Sequence, residues 1–379
     1  MNKIIYLDNS ATTKPCSQAI KAINDCLDNN WGNPSSTYPF GIEALDILEN
    51  SRRTVASFIG AKENEIYFTG SGTEANNIAI FGAASARKKL GNKIVSTSIE
   101  HPSVLEALKE LENRGFEVVR LSPDKNGIIS EESLRNAIDK NTILVSIMLA
   151  NNEIGSVQPI EIAADIITKK GAPALLHCDA VQAFGKLPIK VSDLKVDLLS
   201  ASGHKIHASK GIGFLYKSAK VHISPIIFGG GQEKGLRSGT ESVPLIAGFA
   251  AAIKALPPTN EQYKKQLSLW NFAKEKLIKT ELVSINSPDN ALPYILNISI
   301  NGYKSEPMLN ALAYKNIFVS KGSACAKGHR SYVLREIGLS NDRIDSAIRI
   351  SFSRDNCEED ITYLCDAITE ICKKMRRFK

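Results

Sequence analysis

From residue 93 onward the apolar positions of this chain switch repeatedly between two spacings. Short apolar runs at 93–97, 116–121, 142–148 and 173–178 predict buried strands. The segments between them repeat apolar residues at helical spacing, which predicts a helix from Pro102 and others over 130–139 and 159–170. Such alternation builds a mostly parallel sheet with helices on both faces. Upstream, 4–7 is extended, an amphipathic helix runs from Pro15 to about Asn29, and a longer one stops near Gly60. A strand at 66–68 then meets a helix from about Ala75 to Lys89. Downstream, 196–199 and 212–216 predict two more strands flanking a small-residue turn.

Pro257-Pro258 breaks a helix over 243–256, and the domain boundary is placed there. Residues 15–257 form a large α/β domain on this reading. Residues 258–379 form a smaller α+β domain, with helices over 260–280, 305–315, 331–337 and 357–376 and strands at 282–285, 294–300, 317–320 and 347–352. Residues 1–14 are a segment expected to join the smaller domain.

Composition narrows the class. With 379 residues, 43% of them apolar and 23% charged, the chain has the make-up of a soluble globular protein. A net charge of +7 over that length does not argue for nucleic acid. No run of about 20 apolar residues and no signal pattern at the amino end appear, so no membrane partner and a cytoplasmic location are expected. The seven cysteines include no C-x-x-C pair, which fits neither a disulfide framework nor a structural zinc site, so no metal is expected. Cys357, Cys365 and Cys372 fall near one face of the last helix and predict core packing; Cys16, Cys26 and Cys178 predict small buried side chains.

The candidate chemistry gathers at strand ends, where ligands of open α/β sheets collect. Lys205, in Ser202-Gly203-His204-Lys205, sits on the turn between two strands. A lysine so held can form a Schiff base with an aldehyde cofactor. Asp179 ends the strand at 173–178, and Gln182 follows three residues later. Pyridoxal phosphate (PLP) needs a lysine for its aldehyde and an acid for its pyridine nitrogen, and Lys205 and Asp179 supply both. Thr69-Gly70-Ser71-Gly72-Thr73-Glu74 is a glycine-rich strand-to-helix turn that suits a phosphate, although it matches neither a Walker A loop nor G-x-G-x-x-G. His101 precedes a helix-starting proline and can serve as aromatic ring and proton carrier. Residues 228–241 predict a glycine-rich, structureless loop, either functional or disordered. Cys325 lies on a small-residue loop among Lys321, Lys327, His329 and Arg330, an electropositive setting that lowers a thiol pKa. Arg349, on an apolar strand, calls for a buried partner or a ligand carboxylate.

These stretches together resemble the cysteine desulfurases of the fold-type I, PLP-dependent class, within the class-V aminotransferase family. The resemblance runs nearly end to end. It is carried by Ser98-Ile99-Glu100-His101, Asn151-Asn152-Glu153-Ile154-Gly155, Asp179-Ala180-Val181-Gln182, Ser202-Gly203-His204-Lys205, Arg237-Ser238-Gly239-Thr240-Glu241 and Gly322-Ser323-Ala324-Cys325. Tyr38 and Ser242 stand where many members carry histidine and asparagine.

The resemblance implies a fold of one large domain with a mostly parallel central sheet and a smaller α+β domain. It implies that Lys205 binds PLP and moves the substrate's α-proton, that Asp179 keeps the pyridine nitrogen protonated, and that Gln182 bonds the ring's phenolic oxygen. His101 stacks on the ring. Gly72, Thr73, Ser202 and His204 hold the phosphate, joined by Thr240 from the second subunit of a homodimer. Asn152 and Arg349 clamp the carboxylate of L-cysteine. Cys325 takes the sulfur as a persulfide, leaving L-alanine, and passes it to an acceptor protein of iron–sulfur assembly or tRNA thiolation. The competing expectations are an aminotransferase, a selenocysteine lyase, or a sulfur-relay protein on the same scaffold.

Overall fold

The computed structural model describes residues 3–322 and 330–378. Twelve strands are described: β1 (Ile5–Tyr6), β2 (Ile66–Thr69), β3 (Lys93–Thr97), β4 (Glu117–Leu121), β5 (Thr142–Met148), β6 (Leu175–Asp179), β7 (Leu198–Ser202), β8 (Gly213–Lys217), β9 (Val283–Ile285), β10 (Ile295–Ile300), β11 (Ile317–Phe318) and β12 (Ala347–Ser351). Seven of them form a sheet in the order β2-β8-β7-β6-β5-β3-β4. β8 runs antiparallel to both neighbours and every other pairing is parallel. β5 is buried along its whole length because helices cover both faces, which is why its sequence reads as a continuous run rather than an alternation.

The parallel strands share a direction, so the residues that follow β2, β3, β5, β6 and β7 emerge along one edge. The first helix there, Gly72–Arg87, begins earlier than its apolar spacing predicts. Ser71 is extended and its side chain accepts the Glu74 amide at 3.1 Å, so the cap pulls Gly72 and Thr73 into the first turn. β7 likewise extends to Ser202, because pairing with β8 continues through the polar residues Ser200 and Ser202.

β9, β10 and β12 form a second, antiparallel sheet, covered by helices Thr259–Ile278 and Glu358–Lys374. Leu7, Trp270, Ile298, Ile350 and Leu364 belong to its core. β1 pairs in parallel with β11, and Asp8 bridges to Ser351, so the amino-terminal segment lies against this second region. From there the chain crosses to the large sheet, where the Thr13 amide donates to the His204 carbonyl at 2.8 Å.

Three expectations need correction. Residues 228–241 are not structureless: Glu233–Gly235 is a helical turn, held because Glu233 is buried against Arg52. Cys357 does not share the packed face of Cys365 and Cys372; it caps the last helix and is half-exposed, as is Cys16. Two short helices, Val191–Leu194 and Asn341–Asp345, were hidden because one turn is too short to show a period.

Candidate active site

The strand ends and the crossing segment enclose a cavity of about 560 Å³. Gly72, Thr73, His101, Asn152, Asp179, Gln182, Ser202, His204, Lys205 and Arg349, ten residues singled out from sequence, all line it. Thr240 does not line it and is exposed on the surface. Cys325 lies outside the described residues, although Gly322, just before it, also lines the cavity.

Lys205 ends a helical turn directly after β7. Its Nζ donates to the carbonyls of Ser10 and, at 2.8 Å, Ala11. Those carbonyls belong to the crossing segment, so the lysine's position depends on residues nearly 200 places away. Asp179, at the end of β6, is a buried acceptor on both oxygens. Oδ1 takes the Val181 amide at 2.9 Å and Oδ2 takes Asn76 Nδ2 at 2.8 Å.

Asn76 also donates to Ser103 Oγ at 2.9 Å, and Ser103 Oγ lies 2.8 Å from His101 Nδ1. The Ser103 amide points at the same nitrogen, at 3.2 Å. Nδ1 therefore acts as an acceptor, and the neutral ring keeps its proton on Nε2. Burial pushes the His101 pKa down and the Asp179 charge partly offsets it. Asn76 and Ser103 escaped the sequence reading. The available signal was spacing: Asn76 stands four residues, about one helical turn, after Gly72.

The start of this helix could receive an anion. The first amides of Gly72–Arg87 have no intrahelical partners and point out of the helix end. Only glycine fits at 72, since a Cβ there would lie 2.7 Å from Val181 Cγ2. Glu74 ties this turn to the later glycine-rich loop: one oxygen accepts the Gly70 amide at 2.9 Å and the other Arg237 Nε at 2.6 Å. Burial, with Lys205, Lys210 and Lys186 nearby, pushes His204 down to about 4. At neutral pH the His204 ring is therefore uncharged.

At the other end of the cavity Arg349 is almost wholly buried. One terminal nitrogen donates to the carbonyls of Asn152 (2.8 Å) and Gly322 (2.9 Å), and the other pairs with Asp8 at 2.8 Å. Its Nε is buried without a hydrogen-bond partner among the described residues, as are Ser10 Oγ, Asn76 Oδ1 and Asn152 Oδ1. Buried polar atoms are normally satisfied. Four that are not, on side chains lining one cavity, describe a site shaped for a polar ligand. Among the described residues no cluster suited to a metal ion occurs.

The donor set fits PLP. A lysine amine, a carboxylate held as an acceptor, a histidine ring and an open helix start share one cavity. The chain belongs to the aminotransferase class-V family, whose model matches residues 5–364. Within that family it is similar to proteins that act on cysteine. "Cysteine desulfurase IscS" of Methanosarcina thermophila is 41% identical over 379 residues, covering 99% of this chain and 93% of the relative. A solved "NIFS-like protein" superimposes with a TM-score of 0.93 at 36% identity, covering 98% of this chain and all of the other. A structure titled "SspA in complex with cysteine" superimposes at 0.82 with 35% identity, over 92% of this chain and 98% of that one. No helix among the described residues is long and apolar enough to cross a membrane.

Proposed function

We propose that this protein is a PLP-dependent cysteine desulfurase, converting L-cysteine to L-alanine and passing the sulfur to its own Cys325. The observation that carries the reading is the convergence of Lys205, Asp179 and Arg349 on one cavity. PLP, when bound, supplies an electron sink for the substrate's carbons. Lys205 would hold its aldehyde, Asp179 its pyridine nitrogen, and Gln182 its phenolic oxygen. The Gly72 and Thr73 amides, with Ser202 and His204, would hold its phosphate.

Arg349 and Asn152, which line the cavity, would take the substrate carboxylate and so orient the substrate toward Lys205. Lys205 then moves the α-proton, and His101 carries a proton on Nε2 for the acid–base steps. The Cys325 thiolate attacks the substrate sulfur; the carbon–sulfur bond breaks, its electron pair stays with carbon, and a proton there completes alanine. The sulfur remains on Cys325 as a persulfide, for delivery to an acceptor protein of iron–sulfur assembly or tRNA thiolation in the cytoplasm.

Residues 15–257 would bind the cofactor, and 258–379, joined by 1–14, would carry the sulfur-accepting loop. A homodimer completes the reading, with Thr240 of the second copy reaching the phosphate. It is supported by exposed apolar residues clustered in sequence: Trp31, stacked on Phe40 with ring centres 5.4 Å apart, and Tyr38, Ile42 and Leu45.

The test is the visible absorbance of the purified protein before and after L-cysteine, with alanine and sulfide assayed together. Cys325→Ala is expected to keep the absorbance and lose sulfide release. Unimpaired turnover by that variant would reject sulfur transfer through Cys325, and amino-group exchange with a keto acid would point to an aminotransferase.

A further inference from the structure

Lys186 is a second lysine beside the site, 5% exposed, in the turn that follows β6. Its Nζ donates to Gln182 Oε1 at 3.2 Å and lies 5.6 Å from the centre of the Tyr294 ring. The charges that bear on it, Lys205 and Arg349, are both cations. It bears in turn on His204 and His207, the latter also near Arg354 and 3.9 Å from the largely exposed Asp355. Burying an ammonium among cations costs stability, so core packing does not account for a lysine here. Burial, with the push of Lys205 and Arg349, brings it down to about 7.

The hydrogen bonds run from Lys186 to the reactive amine in a short chain. Gln182 Nε2 donates to the Ser10 carbonyl at 3.0 Å, and the same carbonyl accepts from Lys205 Nζ. A lysine ammonium has donors only, so its contact settles the Gln182 amide: oxygen toward Lys186, NH₂ toward Ser10 and the cavity. With the amide turned over, two donor groups would face each other.

We propose that Lys186 is a positioning residue: in its protonated form it locks the Gln182 amide with its NH₂ on the cavity side and sets a positive charge beside Lys205 that favours the uncharged, nucleophilic amine. The inference rests on the assignment of Lys205 as the PLP lysine.

The experiment is a pH titration of the visible absorbance of the PLP-loaded protein. Lys186→Met is expected to raise its midpoint by on the order of one pH unit, since a cation nearby disfavours a second. Lys186→Arg, which keeps the charge and the donors, is expected to stay close to the parent. A midpoint unmoved or lowered in Lys186→Met overturns the inference and leaves the PLP assignment intact. A parent protein with no such absorbance, or one that keeps it in Lys205→Ala, overturns both. A second measurement covers the case in which Lys186→Met does not fold. In the apoprotein, NMR titration of the lysine side chains is expected to show one lysine titrating near neutrality, missing in Lys186→Arg and moved upward in Lys205→Ala. If no lysine titrates there, the charge coupling is absent and the inference fails.

Discussion

Asn76 donates to the Asp179 carboxylate across 2.8 Å, joining a helix to a strand 103 residues later. Its other amide proton goes to Ser103, which lies against His101. One side chain thus holds the acid and the histidine in register. Asn76→Leu keeps the bulk and removes both donors, leaving Asp179 Oδ2 buried without a protein donor. A stability loss of about 1–3 kcal/mol is expected from that orphaned acceptor. Cofactor retention should fall with it, as read by absorbance after dialysis. Unchanged retention would show that Asp179 needs no positioning.

Glu100 makes stability depend on pH. It is wholly buried, with Oε1 accepting from Thr97 and the Met148 amide, and burial pushes its carboxyl up to about 8. An unfolded glutamate titrates near ~4.3. Between those values the folded chain holds more protons than the unfolded one. This contribution is therefore full below the unfolded pKa and is lost as pH rises through about 8. Glu100→Gln keeps the acceptor and cannot ionise. Thermal melts should show it matching the parent near about pH 5 and exceeding it near about pH 9. Glu153, raised by burial to about 7, acts in the same direction, so the slope should shrink without vanishing.

Arg349 is assigned to the substrate carboxylate while still fastened to Asp8 and two backbone carbonyls. Arg349→Lys keeps the charge and loses the planar fork. KM for L-cysteine is expected to rise roughly tenfold or more, with a smaller effect on kcat. Equal losses in kcat and kcat/KM would mean that Arg349 acts in the transition state alone.

Glu233 and Arg52 form a buried ion pair, with contacts of 2.8 and 3.0 Å, and Glu233 also accepts the Phe68 amide. Glu233→Ala takes a buried carboxylate from Arg52, which keeps Glu49 at 3.2 Å and the Ile66 carbonyl at 2.8 Å, so a loss of about 1–3 kcal/mol is expected. Urea denaturation should register it as a lower midpoint. A change below about 0.5 kcal/mol would mean that water already reaches the pair.

Most of the central sheet was legible because its strands are continuous apolar runs such as 142–148, whose extent the structure reproduces. The places of Lys205 and Asp179 on the cavity wall were legible because each combines a charged side chain with a strand end, where α/β sheets place ligands. Asn76, Ser103 and Lys186 were not. Each sits within a helix or turn whose sequence is ordinary, and each matters only through what folding brings beside it. The buried role of Glu233 was hidden for the same reason, since its partner Arg52 lies 181 residues earlier.

The amino-terminal crossing also constrains how the molecule is made. Asp8 awaits Arg349, and Asn9 awaits the Ser351 carbonyl at 2.9 Å, some 340 residues downstream. At a translation rate of about 5–20 residues per second, that leaves the first strand without its partners for on the order of twenty to seventy seconds. Through that interval a growing chain would hold the large sheet without a finished pocket, and loading of a cofactor waits for the second sheet to be made.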